Sequence, residues 1–270
     1  MLRCRGYRTS EEVALQYQTI KGEKVPSLGL GTYRLTGDAC EGAVERALGI
    51  GYRHVDTAQM YGNEAEVGRG IEDSGLERGE VFLTTKVWPS DFAHDRVISK
   101  TRESLKKLRT DYVDLLLMHW PPDGVPLGET LGAMCELQDE GGVLHIGVSN
   151  FSPSLLEEAT EHAEIFCNQV QYHPYRSQDA LLDQARKLDY LLTAYTPLSR
   201  GGVQGDATLR EIGEAHGKTA TQVALRWLVQ QEKVSAIPKA TGEQHLAENL
   251  DVFDFELSGE EMDRVFSLSR

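Results

Sequence analysis

The feature that most restricts the fold of this chain is the alternation of short apolar runs with amphipathic stretches along almost its whole length. The runs are continuous rather than alternating with polar residues, which is typical of strands buried on both faces of a parallel sheet. They cover residues 28–31, 54–57, 81–86, 114–119, 146–149, 167–171, 191–195 and 235–238. Eight strands alternating with helices predict an α/β fold, a single (β/α)8 TIM barrel.

The stretches between these runs carry helix start and stop signals. Ser152-Pro153 combines a capping residue with proline at the first helical position. The stretches 37–51 and 129–142 both end at glycine, a common helix stop. Residues 219–231 place apolar side chains at helical spacing, so this stretch should pack one face on the sheet.

A doubly wound sheet is the alternative arrangement of such elements. It usually carries G-x-G-x-x-G after its first strand. Here Gly29-Leu30-Gly31 is followed by Thr32-Tyr33-Arg34, and the third glycine is missing. The barrel is therefore the preferred prediction.

Domain organisation follows from the same reading. No linker or low-complexity stretch interrupts residues 15–270, so we expect one barrel domain there, preceded by a flexible extension over residues 1–14. Before the first barrel strand, residues 17–20 and 25–28 flank 21–24. This pattern predicts a β-hairpin that caps the N-terminal end, or bottom, of the barrel.

Composition excludes several classes of protein. The 28 Lys+Arg against 42 Asp+Glu give a net charge of −14, which is opposite to the basic field of nucleic-acid-binding proteins. No apolar run approaches the ~18 residues of a membrane span, and the N-terminus has no apolar signal segment, so we expect a cytoplasmic protein. The four cysteines lack metal-site spacing; we expect free thiols and no metal.

Polar side chains follow successive strands where each strand ends. Asp56 ends the second predicted strand, Tyr61 lies in the next loop, Lys86 ends the third strand and His119 the fourth. Each has an ordinary structural explanation: a helix cap, a packed aromatic, a surface lysine and a core histidine. All four at strand C-terminal ends, where barrel enzymes place their active sites, indicate a catalytic set.

The chemistry of the set suits reduction of a carbonyl group. A partly buried Lys86 needs a carboxylate, which Asp56 can supply, and its charge should lower the pKa of Tyr61 from about 10. Such a phenol can donate a proton near neutral pH. An adjacent imidazole can polarise a carbonyl, whereas no nucleophile–base pair suited to hydrolysis is evident.

Six motifs resemble the aldo-keto reductase family, in the family's order. They are Gly51–Glu64, Leu28–Tyr33, Thr84–Trp88, Asp111–Pro121, Gly147–Phe151 and Ile237–Ala240. Within the family, Ala58-Gln59-Met60-Tyr61 and His119-Trp120-Pro121 look most like the bacterial 2,5-diketo-D-gluconate and methylglyoxal reductases.

The resemblance implies a barrel enzyme that binds NADPH without a doubly wound fold. Tyr61 would donate the proton, Asp56 and Lys86 would tune it, and His119 would orient the carbonyl. The implied cofactor residues are Gly31 and Thr32 along the pocket, Ser149, Asn150 and Gln171 at the carboxamide, Tyr195 on the nicotinamide ring, Thr196, Leu198 and Arg200 over the pyrophosphate, and Lys239, Ala240, Thr241, His245, Glu248 and Asn249 at the adenosine end.

Two departures from the family pattern affect these implications. His245 stands where many relatives have an arginine for the 2′-phosphate, and Ala240 replaces a frequent serine or threonine. Because arginine is always charged and histidine is mostly neutral at pH 7, we expect NADPH use through Lys239 with NADH also accepted.

The chain also ends soon after its last helix, so substrate contacts should fall to Trp88, Trp120 and the loop 122–126.

Three functions remain open from the sequence. The first is NADPH-dependent reduction of a small aldehyde, dicarbonyl or keto-sugar acid. The second is a Schiff-base lyase in which Lys86 attacks the carbonyl. The third is a non-catalytic NADPH-binding regulatory module. In each case the partner is a small molecule rather than nucleic acid or membrane, and the resemblance implies a monomer.

Overall fold

An antiparallel hairpin opens the part of the chain that the computed structural model describes, residues 15–269. Its strands are β1 (Tyr17–Ile20) and β2 (Glu23–Pro26), joined by a two-residue turn. Both turn residues have positive φ, 49° at Lys21 and 89° at Gly22, as the tightest hairpin turns require. The hairpin is confirmed, but its predicted second strand at 25–28 was wrong by two residues, because this turn needs only two residues rather than four. The predicted extension, 1–14, lies outside the described residues.

Eight parallel strands follow, each paired with the next in chain order. They are β3 (Leu30–Gly31), β4 (His54–Asp56), β5 (Phe82–Val87), β6 (Val113–Met118), β7 (Val143–Ser149), β8 (Ile165–Gln171), β9 (Leu191–Tyr195) and β10 (Val234–Ala236). All eight predicted strands are present, with ends shifted by a few residues.

The two edges of the sheet meet, so the sheet closes into a barrel. Leu28 forms a parallel bridge with Ala236, and Gly31 N donates to Pro238 O at 3.1 Å. The approach is so close that a Cβ at Gly31 would lie 2.6 Å from the carbonyl oxygen of Ile237. The fold is therefore the predicted (β/α)8 barrel, and not a doubly wound sheet, whose edges stay open.

Helices surround the barrel and complete each β/α unit. They are α1 (Gly37–Gly49), α2 (Glu64–Asp73), α3 (His94–Leu108), α4 (Leu127–Asp139), α5 (Pro153–Thr160), α6 (Asp179–Leu188), α7 (Ala207–His216), α8 (Ala220–Val229), α9 (Glu243–Leu250) and α10 (Gly259–Phe266). The predicted cap is confirmed at α5, where the Ser152 hydroxyl accepts from Leu155 N at 3.3 Å. Thr219 caps α8 within a reciprocal capping box.

The hairpin closes the bottom of the barrel. Ile20 and Val25 are fully buried and pack inside the barrel against an apolar layer. That layer consists of Leu115, Leu117, Phe166, Cys167 and Leu191. Because this end is filled with apolar side chains, the polar interior lies at the opposite, C-terminal end of the strands, or top.

Three cysteines lie within residues 15–269 and all are free thiols: Cys40, Cys135 and Cys167. Burial raises the pKa of Cys40 to about 11, with the Glu66 charge adding to the effect.

No helix in this part of the chain is both long enough and apolar enough to cross a membrane.

Candidate active site

A buried lysine forms the centre of the polar cluster at the top of the barrel. Lys86, near the end of β5, is fully buried, and its ammonium lies 2.6 Å from Asp56 Oδ1, 2.7 Å from Thr57 O and 3.4 Å from Tyr61 Oη. These contacts use all three N–H donors of the ammonium. Burial alone would lower the pKa of Lys86, but the Asp56 charge and the Tyr61 hydroxyl outweigh it, so the pKa is raised and the lysine is protonated.

Asp56 is the last residue of β4, and each oxygen of its carboxylate has one partner. One oxygen accepts from Lys86, and the other, Oδ2, accepts from Gln169 Nε2 at 2.7 Å. Gln169 lies on β8, across the barrel, and is itself buried. Sequence reasoning missed it. The sequence did carry a signal for Gln169, because a glutamine inside a continuous apolar strand needs a polar partner in the interior.

Tyr61 lies on a short 3-10 helix, Gln59–Tyr61, directly after β4. The helix is tied to α3 by a bond from Gln59 Nε2 to Ser104 Oγ at 3.1 Å. Burial raises the pKa of Tyr61, and the opposing effect of the Lys86 charge does not overcome it. The expected lowering of this pKa is therefore wrong in net direction, although the lysine acts with the predicted sign.

His119 follows β6 and faces Tyr61, with ring centroids 5.7 Å apart and planes at 76°. Trp88 packs edge-on against the same imidazole at 5.1 Å. Burial, assisted by the Lys86 charge, lowers the pKa of His119 to about 3. The imidazole is therefore neutral at physiological pH and can donate one N–H.

The predicted carboxamide residues divide into two groups. Ser149 ends β7, where its hydroxyl donates to Gln169 O at 2.8 Å, and Asn150 Nδ2 donates to that hydroxyl at 3.0 Å. Gln171 lies two residues beyond Gln169 on β8, and its Nε2 contacts His173 Nε2 at 3.1 Å. The structure therefore joins Ser149 and Asn150 to the Asp56 cluster through Gln169, while Gln171 lies outside it.

Asn150 also links the two halves of the site. Its Nδ2 lies 3.2 Å from His119 O, and its Oδ1 accepts from Tyr195 Oη at 2.8 Å. Tyr195 ends β9 and is partly exposed. The Asn150 amide thus connects the backbone of His119 to the hydroxyl of Tyr195, whose ring is predicted to stack on nicotinamide.

Gly31 and Thr32 lie at the top of the barrel beside Asp56. Thr32 Oγ1 donates to Asp56 O at 2.9 Å, which fixes the turn after β3 to the end of β4. Gly31 has a structural requirement of its own, the close contact with Ile237 described above.

Left-handed backbone conformations occur in the loops that follow β7 and β9. Asn150, Thr196, Ser199 and Arg200 have φ of 65°, 53°, 48° and 55°. Such conformations are unfavourable for non-glycine residues and concentrate at ligand-binding loops. The segment predicted to lie over the pyrophosphate, from Thr196 through Leu198 to Arg200, contains three of these four residues and ends at an exposed arginine.

Of the residues predicted at the adenosine end, Lys239, Ala240 and Thr241 lie between β10 and α9, and His245, Glu248 and Asn249 lie in α9. Lys239, Thr241 and His245 are exposed, whereas Ala240 and Asn249 are buried. Glu248 accepts from the hydroxyl of Thr219, the cap of α8, at 2.9 Å. A basic residue that sequence reasoning missed also reaches this loop, because Arg46 Nη2 on α1 donates to Thr241 O at 3.1 Å.

The predicted substrate residues differ in their placement. Trp88 lies against His119, inside the site, whereas Trp120 is 43% exposed.

Within residues 15–269 no group of three or more histidine, cysteine, aspartate or glutamate side chains could hold a metal ion.

Comparison with known proteins identifies the family of this chain. Residues 27–270 match the Aldo/keto reductase family. The chain belongs to that family. An aldo-keto reductase of Mycolicibacterium smegmatis is 41% identical over 250 residues, which are 92% of this chain and 90% of that protein. Methylglyoxal reductase DkgB of Salmonella typhi is 40% identical over 249 residues, 90% and 93% of the two chains.

A solved structure supports the same assignment. It is described as a putative 2,5-diketo-D-gluconic acid reductase B and matches this aldo-keto reductase with a TM-score of 0.93 at 49% identity, covering 96% of this chain and 93% of that chain. The chain is therefore an oxidoreductase that acts on carbonyl groups, in a family that uses NAD(P)H.

Proposed function

We propose that this aldo-keto reductase uses NADPH to reduce a small aldehyde, dicarbonyl or keto-sugar acid to the alcohol, with Tyr61 as the proton donor. The observation that carries the proposal is the position of the Lys86 ammonium, 3.4 Å from the Tyr61 hydroxyl and 2.6 Å from Asp56. A protonated lysine held by a carboxylate favours the phenolate that remains after the proton has left.

The raised pKa of Tyr61 suits this role in the resting protein. The phenol keeps its proton at neutral pH and gives it up only when a substrate oxygen gains negative charge. At that moment Lys86 stabilises the new phenolate at short range, and Asp56 keeps the lysine charged and in place. Preorganised charge of this kind needs no rearrangement during the reaction.

His119 positions the carbonyl group. Its neutral imidazole donates one N–H to the same oxygen that Tyr61 protonates, so the two groups fix where the carbonyl lies. A neutral histidine does not compete with Tyr61 as an acid. Trp88, packed edge-on against the imidazole, restricts its orientation.

The nicotinamide of bound NADPH would supply the hydride to the carbonyl carbon. Ser149, Asn150 and Gln169 would hold the carboxamide, with Gln169 replacing Gln171 in the set first proposed, and Tyr195 would lie on the ring. The segment 196–200 would cover the pyrophosphate. The residues proposed around the adenosine end are Lys239, Ala240, Thr241, His245, Glu248 and Asn249.

The substrate class rests on two tryptophans and on relatives. Trp88 and Trp120 would line the mouth, which favours a small carbonyl compound. Relatives at 40% and 49% identity are described as reductases of methylglyoxal and of 2,5-diketo-D-gluconic acid, both small dicarbonyl compounds.

The geometry disfavours the Schiff-base alternative. A lysine that attacks a carbonyl must be an unprotonated amine with a free lone pair. Lys86 instead has a raised pKa and directs its three N–H groups to Asp56, Thr57 and Tyr61. The complete set of four polar residues also argues against a purely regulatory module.

Replacement of Tyr61 by phenylalanine tests the proposal. Turnover of methylglyoxal with NADPH should fall by about 10³-fold, because general acid catalysis contributes on that order. The Kd for NADPH, measured by protein fluorescence, should stay within about twofold. Tyr112→Phe, at the opposite end of the barrel, is the matched control and should keep full activity. Turnover that survives Tyr61→Phe, or borohydride trapping of substrate on Lys86, would contradict the proposal.

A further inference from the structure

The turn after β3 carries an arginine in an unusual backbone conformation. Leu35 N donates to Thr32 O at 3.0 Å, so Tyr33 and Arg34 are the two central residues of a β-turn. Arg34 has φ of +64°, the left-handed region that glycine or asparagine usually fills at this turn position. An arginine there strains the backbone, because its Cβ crowds the neighbouring carbonyl oxygen. Strained backbone of this kind concentrates at active sites and ligand-binding loops.

A buried amide holds this turn in place. Asn63 is fully buried, and its Nδ2 donates to Thr32 O and to Leu35 O, both at 2.9 Å. Its Oδ1 accepts from Thr57 Oγ1 at 2.7 Å. Since Thr57 O also accepts from Lys86, the turn is fixed relative to the catalytic cluster.

The fixed turn directs two side chains to the mouth of the site. The Tyr33 ring lies 5.0 Å from the Tyr61 ring, measured between centroids. The guanidinium carbon of Arg34 lies 5.3 Å from the centroid of the Tyr33 ring. A positive charge thus lies against the ring of Tyr33, which in turn contacts the phenol proposed to protonate the carbonyl.

Within residues 15–269, Arg34 has no carboxylate within ion-pair distance. By contrast, Arg69, Arg78 and Arg109 each form an ion pair. Arg34 is also exposed, in a chain with a net charge of −14. Such a chain repels anions at long range, so binding one requires a local positive group.

We propose that Arg34 is a specificity-determining residue that binds the carboxylate of the substrate, so that the preferred substrate is a carbonyl compound bearing a carboxylate group. The inference rests on the proposed function, since it places the carbonyl at Tyr61 and His119. The Tyr33 ring contacts both the Tyr61 ring and the Arg34 guanidinium, so the substrate would extend from Tyr61 along Tyr33 to bring its carboxylate to Arg34. Arginine suits this role because its planar donors match a carboxylate in pairs.

A matched pair of substrates tests the proposal: 4-carboxybenzaldehyde and its methyl ester. They present the same aldehyde and ring, with and without the negative charge. Arg34→Gln should raise KM for the acid about tenfold and leave KM for the ester within twofold, with kcat for the ester unchanged. Arg34→Lys should restore part of the difference. The effect should shrink at 0.5 M salt, because exposed charge pairs are screened.

Two further variants separate binding from structure. Lys187→Gln removes one exposed, unpaired charge from the end of α6 and should change neither KM. Arg34→Gly should abolish the preference for the acid as Arg34→Gln does, while Tm stays equal or rises, because glycine relieves the strain at φ +64°.

Three results would overturn the inference. In the first, Arg34→Gln changes KM equally for acid and ester, and in the second it changes neither. In the third, Arg34→Gln raises KM for NADPH instead, which would assign the arginine to a cofactor phosphate. Failure of the proposed function looks different, because the wild-type protein would then reduce neither aldehyde.

Discussion

Gln169 Nε2 donates to Asp56 Oδ2 at 2.7 Å, from the opposite side of the barrel interior. The bond closes a chain that runs from Tyr61 through Lys86 and Asp56 to Gln169, and Ser149 continues it by donating to Gln169 O. The acid–base cluster and the predicted cofactor residues therefore belong to one connected network rather than to two adjacent sites.

Gln169→Leu should disrupt this network at a single point. One carboxylate oxygen of Asp56 would be left buried without a partner, which costs about 1–3 kcal/mol in the free energy of unfolding. We expect kcat to fall at least tenfold and the Kd for NADPH to rise. Gln171→Leu, on the same face of the same strand, is the matched control and should change both by less than threefold. A larger effect at Gln171 would favour the carboxamide residue suggested by resemblance.

Cofactor preference should depend on Lys239 more than on His245. Lys239 is exposed and can offer its ammonium group to the 2′-phosphate, so Lys239→Met should lower the ratio of kcat/KM for NADPH over NADH about tenfold. His245→Ala should change that ratio less than twofold. If the ratio strongly favours NADPH and survives both changes, Arg46, which reaches the same loop, becomes the residue to replace next.

Glu64 should make the stability of the protein depend on pH. It begins α2, is buried, and accepts from Thr85 Oγ1 at 2.7 Å; burial raises its pKa above the usual 4.5. The folded protein therefore binds this proton more tightly than the unfolded chain. The resulting stabilisation is fully present below about pH 4.5 and is lost as pH rises through the folded pKa.

Glu64→Gln should accordingly raise Tm by a few degrees at pH 8 and leave it nearly unchanged at pH 4. Glu66→Gln, two residues along α2, is the control and should not stabilise at either pH, since Glu66 lies 3.5 Å from Arg69 as an ion pair. Thermal unfolding followed by circular dichroism at both pH values measures the difference. A lower Tm for Glu64→Gln at pH 8 would show that the charged form is the favoured one.

Closure of the barrel should fail with a methyl group at Gly31. The added Cβ would lie 2.6 Å from Ile237 O, closer than carbon and oxygen can pack, so the seam between β3 and β10 must open. We expect Gly31→Ala to destabilise the fold by about 3 kcal/mol or more. Gly132→Ala, in the exposed face of α4 with free space around it, should stabilise by up to about 1 kcal/mol. Urea unfolding of both variants measures the two effects.

The positions of the catalytic candidates were predictable because they depend on local pattern. An apolar run marks a buried strand, and the polar residue that ends it must lie at the top of a parallel barrel. Asp56, Lys86 and His119 were placed in this way, and the structure brings them together with Tyr61. The same pattern could not predict whether Gln169 or Gln171 contacts Asp56, because both lie on one face of β8.

The sequence by itself determined the barrel, the order of its strands and the kinds of side chain at their C-terminal ends, since these follow from hydrophobic pattern and chain direction. Tertiary structure alone decided which glutamine meets Asp56, that Asn63 fixes the Tyr33-Arg34 turn beside Tyr61, and that burial outweighs the Lys86 charge in the pKa of Tyr61. The reason is that hydrogen bonds, charge effects and desolvation depend on distance and burial, which arise only when residues far apart in sequence are packed together.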